Sequence, residues 1–442
     1  MRRLVKIYND HQAANREKEK YYEGHIRLSE VNLGLALPKN FRGLEVACAW
    51  GEKAVDVLAA RSMLDGFVGA SGQEAETMAK ILEDNRLLAE YAKACRDELK
   101  YGCTFANLSS DGGQGCRIRF NSPKSAAAEW DGEKGRIGCG FVIVAVKRDT
   151  LGDSFPSLVH LHTDSAVWEL RSENGMEWAA TEYPHKMGRP LMEPLIWNAT
   201  SEKPFGRSRL KEPVRRLIQG YVRTMADAAI GLEFATSPQK YLLGVTDDQY
   251  DAVTSQQFLN YVGSIIAGTT NPETGETPKF GQLAQGNIEP HVQQMRILAT
   301  QFSAATGLTV TDVGVINDAN PTSSDAILAQ SQTLVAMAEQ LNDGNGYSLT
   351  TIARMAQAIA RNVTLEELTQ EELDVVPHFK NPAMPSVAVT ADAALKIASA
   401  RQAFAQTDVY LEMIGFDQAD IRRIKTQERK NRGLTVLEEL EA

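Results

Sequence analysis

Two long stretches of helical periodicity bracket a segment of strand and turn residues, and this pattern limits the fold more than any other feature of the chain. The first stretch opens at Pro213, whose missing N–H is harmless in a first helical turn. Leu217, Tyr221, Met225 and Ala228 mark one stripe, Val214, Ile218, Val222 and Ala229 lie beside it, and Ser237-Pro238 ends the run. Roughly 24 residues at 1.5 Å each predict a strut of ~36 Å. The second stretch begins near Asn287. Ile288, Val292, Met295, Leu298 or Ala299, Phe302 and Ala305 give its face, and Gly307 is a C-terminal stop. Between the two, 241–245 reads as a strand and 269–276 as a polar turn.

The flanking sequence sorts into helical and β-rich blocks. Helices are predicted over 12–28, 45–63 and 73–100, the last with Met78, Leu82, Leu87, Tyr91 and Cys95 on one face. From 103 to 198 short alternating or β-branched runs are punctuated by Gly, Asp, Asn and Pro, which predicts an antiparallel lobe, a small barrel or a curved sheet. A further helix opens at Asn320-Pro321-Thr322-Ser323-Ser324-Asp325, with an N-cap hydroxyl and an early carboxylate, and Gly344 is read as its stop. Helices over 347–362 and 392–404, a strand-like piece at 385–390 and a charged helical tail at 418–442 complete an α+β chain.

Composition narrows the function classes. With 442 residues, 43% hydrophobic and 24% charged, the chain has globular composition and room for two to four lobes. It has no apolar run of ~18 residues, so no transmembrane helix is expected. The basic start Met1-Arg2-Arg3 leads into charged residues and not an apolar stretch, so no secretory signal is read and synthesis in the cytoplasm is expected. The five cysteines form no CxxC pair and read as free thiols. A net charge of −10 argues against tight phosphate gripping over the whole surface.

No complete catalytic or metal-binding set is read in the sequence. His160 and His162 share one face of a strand, the best metal-like pair, but no third ligand stands at a recognisable spacing. Asp111-Gly112-Gly113-Gln114-Gly115 lacks the Gly-Lys-Ser/Thr ending of a phosphate loop and reads as a turn. Ser154 has no nucleophile elbow. Arg207, Arg209, Lys211, Arg215 and Arg216 form a local basic cluster, read as a solvated helix end or a surface facing DNA or a neighbouring subunit. Neither enzyme activity nor a cofactor or metal is expected. A hydrolase using Ser154 or a metal at His160 and His162 is the less favoured alternative.

The order of elements carries a resemblance. Tyr21-Tyr22-Glu23-Gly24 precedes the β-rich lobe, and Pro204-Phe205-Gly206-Arg207-Ser208 enters the first long helix. Ala304-Ala305-Thr306-Gly307-Leu308 ends the second, and Asn320-Pro321-Thr322-Ser323-Ser324-Asp325-Ala326-Ile327 opens the next. Across nearly the whole chain this resembles the portal proteins of long-tailed phages. The resemblance implies a homo-oligomeric ring, usually dodecameric, at a capsid vertex of the virion. Double-stranded DNA passes through the ring, and no membrane is involved. It implies a wing (1–205 and 322–389), two stem helices (206–238 and 288–308), a clip (239–287), a tunnel loop (309–321) and a short crown (390–442). Implied partners are the terminase large subunit, the head–tail adaptor, and the major capsid and scaffolding proteins. Asp247, Asp248, Asp251, Glu273 and Glu276 would form an acidic docking surface on the clip. Val315, Ile316, Asn317, Asp318 and Asn320 would line the channel without a cation. Another head–tail adaptor ring of the virion is the alternative structural reading.

Overall fold

The computed structural model describes residues 1–27, 45–69, 76–110, 112, 115–148, 152, 154–236, 240–243, 275, 277, 279–282, 287–314, 324–383 and 387–441. The chain forms two compact units, one of residues 1–23, 49–215 and 305–442, the other of residues 24–48 and 216–304. The tunnel-loop residues Val315, Ile316, Asn317, Asp318 and Asn320 lie outside the described residues, as do the clip residues Asp247, Asp248, Asp251, Glu273 and Glu276.

In the N-terminal part, α1 runs Arg2–Glu23, starting ten residues before the predicted helix at 12–28. A small antiparallel pair follows, β1 (His25–Arg27) with β2 (Glu45–Ala47), where a helix over 45–63 was expected to begin. The helical part of that segment is α2 (Trp50–Ala59), followed by β3 (Leu64–Val68). The single helix expected over 73–100 is two, α3 (Glu76–Asp84) and α4 (Leu87–Tyr101). Asn85 and Arg86 make the break. Arg86 takes φ 49°, and the Asn85 amide donates to the Ile81 and Cys116 carbonyls at 2.9 and 2.8 Å. The Asn85 side-chain oxygen accepts from the Ile118 N–H at 2.8 Å, so the break is a docking point onto a strand.

Residues 103–196 form eight strands: β4 (Cys103–Ser110), β5 (Cys116–Asn121), β6 (Ala126–Asp131), β7 (Arg136–Arg148), β8 (Ser154–His162), β9 (Ala166–Arg171), β10 (Ala179–Pro184) and β11 (Met192–Ile196). They make two open antiparallel sheets among the described residues, β10-β9-β8-β7-β6 and β11-β4-β5, and not a barrel. The period-two alternation of β6 explains how they stack. Ala126 and Ala128 are buried with Ile137, Val142, Cys103, Phe105 and Met192, which joins the two sheets. Ala127, facing the other way, is buried with Phe141, Val159 and Leu4 of α1. The alanines keep both layers close, and so does Gly140, where a Cβ would stand 2.5 Å from Met192 Sδ. Ser110 of β4 pairs with Cys116 of β5; most of the glycine-rich 111–115 segment lies outside the described residues.

The two long helices are α5 (Glu212–Thr236) and α6 (Glu289–Thr306). Val214, Ile218, Val222 and Ala226 are buried on α5, so this stripe, and not the half-buried Leu217-Tyr221-Met225-Ala228 stripe, is its main packing face. Leu298, Ala299 and Phe302 are buried on α6. Gly220 lets the helices approach within the second unit, since a Cβ there would lie 3.3 Å from Leu298 Cδ2. Between them β12 (Lys240–Leu243) pairs antiparallel with β13 (Lys279–Gln282).

After the second long helix, α7 spans Ser324–Arg361 without interruption. The expected stop at Gly344 is therefore corrected, and the helices expected to either side of it are one. Helix propensity is a weak prior, and a tertiary bond outweighs it here. Asn345, fully buried, donates to Glu98 Oε2 at 2.8 Å and to the Tyr91 hydroxyl at 3.1 Å. Tyr91 in turn shares a 2.7 Å bond with the Ser62 hydroxyl. Two short helical turns follow, the second of them α8 (Gln370–Leu373), and β14 (Val376–Phe379) pairs with β3. Residues 387–390, the described part of the strand expected over 385–390, belong instead to α9 (Val387–Ala400). The chain closes with α10 (Asp408–Ile414) and α11 (Gln418–Glu441).

None of the five cysteines is in a disulfide, and Cys48, Cys95, Cys103 and Cys116 are buried. Burial raises the Cys95 thiol pKa and pushes that of Cys103 up to about 12.

Burial also pushes the Glu98 carboxyl up to about 8, so it is mostly protonated near neutrality in the folded chain. A raised folded pKa gives stability that is fully present below the unfolded value and lost as pH rises through the folded one. The expected loss between pH 4.5 and 8 is about 1.4 kcal/mol per unit at most. Thermal melts of wild type and Glu98→Gln across pH 5 to 9 check this. Wild type should lose stability relative to the variant as pH rises, and parallel curves would show that Glu98 does not titrate in this way.

Candidate functional site at the entry to the first long helix

The segment Pro204-Phe205-Gly206-Arg207-Ser208-Arg209 fastens the start of α5 to several elements of the first unit. Gly206 takes φ 71°, and a Cβ there would lie 2.1 Å from the Trp197 carbonyl, so only glycine fits. The Arg207 N–H donates to the same carbonyl at 3.0 Å. Phe205 packs edge-on against Phe105 of β4 and Trp130 of β6, with centroids 5.7 and 5.6 Å apart. The Ser208 hydroxyl donates to the Lys100 carbonyl at 2.5 Å and accepts from the Leu210 N–H at 2.9 Å.

Arg209 completes the fastening. It is 6% exposed, donates from Nε to the Ala54 carbonyl of α2, and from Nη2 to the Thr306 carbonyl at 2.5 Å. The Thr306 carbonyl is among the last four of α6, which have no partner within the helix. The guanidinium satisfies it and sits at the negative end of the helix dipole. Burial lowers the Arg209 pKa to about 10, which leaves it charged at neutral pH.

The predicted basic cluster therefore divides. Arg209 is an internal tie, which corrects its reading as a DNA- or subunit-facing charge. Arg215 is half-buried, lies over the Tyr21 ring at 5.8 Å, donates to the Leu210 carbonyl at 3.2 Å and stands 3.6 Å from Glu17. Arg207, Lys211 and Arg216 are exposed.

Arg207 and Lys211 border a cleft of about 510 Å³ that sequence reasoning missed. Its floor holds Cys103, Phe105, Ala126, Ala127, Ala128 and Phe205, and α1 contributes Ile7, Tyr8, His11, Asn15 and Lys18. Two bonds hold α1 in place, from the Tyr8 hydroxyl to the Lys124 carbonyl at 2.7 Å and from Gln12 to the Pro123 carbonyl at 3.0 Å. The Lys18 ammonium donates to the Tyr101 carbonyl at 2.9 Å and to Asn15 Oδ1 at 3.3 Å, and burial lowers its pKa. An earlier start to α1 would have been the sequence signal, because Ile7, His11, Asn15 and Lys18 fall on one helical face.

The remaining sequence candidates lie elsewhere. His160 and His162 share β8, with ring centroids 6.5 Å apart. His160 stands 3.7 Å from Glu169. His162 is 1% exposed, neither ring nitrogen has a hydrogen-bond partner, and burial pushes its pKa down to about 3. No group of three His, Cys, Asp or Glu residues able to hold a metal is found among the described residues. Ser154 is exposed at the start of β8, paired with Arg148. In the 309–321 segment, the described part is a capped turn, with the Thr309 N–H donating to Asp312 Oδ2 at 3.0 Å and the Asp312 N–H to Thr309 Oγ1 at 3.1 Å. No helix among the described residues is long and apolar enough to cross a membrane.

A family model described as phage portal protein, SPP1 Gp6-like, matches residues 4–433, which takes in both long helices, the clasp between them and the cleft. The chain belongs to this portal family. No curated protein matches it. Among solved structures the chain is similar to the neck of an empty GTA particle computed with C6 symmetry, at 12% identity and TM-score 0.48 over 80% of this chain and 87% of that one. It is also similar to the neck of the native GTA particle computed with C12 symmetry, at 12% identity and TM-score 0.47 over 83% and 89% of the two chains. A chain of the virion of the native gene transfer agent particle matches at the same identity, coverage and TM-score.

For this portal-family chain the clasp is a folding element, and its substitutions should register in stability. Arg209→Met, which removes two hydrogen bonds from a charged donor, should cost roughly 2–4 kcal/mol. Gly206→Ala should cost more than about 1 kcal/mol. Lys203→Ala and Arg207→Ala should stay within about 0.5 kcal/mol. Denaturant melts of the four variants test the ranking, and an Arg209→Met protein as stable as wild type would show that the clasp is dispensable.

Proposed function

We propose that the chain assembles into the portal ring at one vertex of a phage head, a dodecamer through which double-stranded DNA is packaged and later ejected. The observation that carries this reading is the portal-family match over residues 4–433. In it α5 and α6 are the stem, 239–287 the clip, 309–321 the tunnel loop, 1–205 with 322–389 the wing, and 390–442 a short crown. The ring nucleates head assembly with the major capsid and scaffolding proteins and then resides in the virion. The clip receives the terminase large subunit during packaging and the head–tail adaptor afterwards, through Asp247, Asp248, Asp251, Glu273 and Glu276.

Two physical features support the reading. Ile297 on α6 and Leu232 on α5 are 52% and 51% exposed, and in the ring reading a neighbouring subunit would cover them. The net charge of −10 suits a conduit more than a clamp. Each phosphate neutralised by a Lys or Arg adds affinity that sliding must overcome. A tunnel loop of Val315, Ile316, Asn317, Asp318 and Asn320 adds no cation, so DNA would pass it by shape and weak polar contact.

Electron microscopy of the purified protein tests the reading. Rings with a central channel wide enough for a duplex are expected. A particle that is monomeric at every concentration and absent from capsids would overturn it. Deletion of 245–285 should leave rings intact and abolish terminase and adaptor binding. Loss of the rings themselves would show that the clip boundaries are misplaced.

A further inference from the structure

The cleft beside the clasp has the chemistry of a receptor for an acidic, apolar segment. Its floor is aromatic and alanine-rich, while Lys18, Lys203, Arg207 and Lys211 stand around it and no carboxylate is among its described lining residues. That is an unusual stretch of surface in a chain with 57 Asp and Glu against 47 Lys and Arg. The side chains of Lys203, Arg207 and Lys211 make no ion pair among the described residues. Asn15, 2% exposed, lines the cleft with an amide nitrogen that has no hydrogen-bond acceptor. A buried donor of this kind is costly unless an acceptor arrives.

A ring closed by head-to-tail contacts needs two different and complementary surfaces on each subunit. The sequence at the end of α11 has the complementary composition. Among its described side chains only Ile421 is buried, and from Thr426 to Asn431 every side chain is exposed. The helix runs about 24 Å from Lys425 to Glu441. Its last residues, Val436-Leu437-Glu438-Glu439-Leu440-Glu441, join three apolar side chains to three carboxylates and hold no cation. Resting on the ring reading above, we propose that this acidic end of α11 seats in the cleft of an adjacent copy of the chain. Its leucines cover Phe105 and Phe205, its glutamates pair with Lys203, Arg207 and Lys211, and the Asn15 amide donates to it.

The test is a cysteine cross-link in the full chain. Lys211→Cys and Glu439→Cys are combined in a background carrying Cys103→Ser, since Cys103 lines the cleft, and Cys139→Ser, oxidised, and run on a non-reducing gel. A ladder of linked multimers that neither single variant gives is expected. A link only within one chain, or no link while microscopy still shows rings, would overturn the proposal and leave the portal reading standing. Absence of rings from wild type would sink both. In parallel, the triple reversal Lys203→Glu, Arg207→Glu, Lys211→Glu should raise the concentration needed for ring assembly at least tenfold with its melting temperature unchanged. Adding Glu438→Lys, Glu439→Lys and Glu441→Lys should restore assembly. Rings that form normally in the triple variant but fail to enter capsids would assign the cleft to a different acidic protein and overturn the proposal.

Discussion

One buried guanidinium holds together parts of the chain that lie far apart in sequence. Arg209 reaches the Ala54 carbonyl on α2 and the Thr306 carbonyl at the end of α6, while its own N–H donates to Leu99 at 2.9 Å. A buried cation is tolerated only where its donors are satisfied and its charge is compensated. Here carbonyl dipoles and a helix C-terminus do both, with the Trp197 ring 5.8 Å away. The positions of Phe205, Gly206 and Ser208 follow from this tie, and the cleft exists because Phe205 is held against Phe105 and Trp130.

The same tie shows where sequence reading stops. The motif Pro204-Phe205-Gly206-Arg207-Ser208 was recognisable as an entry to a helix, and α5 does begin shortly after it. Its five nearby cations carried no label separating a buried donor from a solvated one. Burial of Arg209 depends on carbonyls 155 and 97 residues away, and no local pattern encodes that. The strands of 103–198 were legible because turn residues punctuate them and their faces alternate. Two sheets were not distinguishable from a barrel, since closure depends on which strands pair.

Helix ends were misread where a polar side chain makes a long-range bond. Asn85 breaks an otherwise continuous apolar stripe by docking on β5, and Asn345 keeps α7 intact between two glycines by bonding Glu98 and Tyr91. Both asparagines look like ordinary turn residues in sequence, and their partners decide opposite outcomes. The family match reaches across all of these elements.

The buried thiols carry a consequence of their own. Cys48, Cys95 and Cys116 sit at different places in the fold, all buried, and burial keeps the Cys95 sulfur protonated well beyond neutral pH. The thiolate is the reactive form, so these sulfurs are silent toward alkylating reagents while their elements stay closed. Each therefore acts as a built-in clock for local opening of its own segment. Cys48 belongs to the second unit and Cys95 and Cys116 to the first, so the two units can be timed separately in one assembled particle without adding any label to the chain.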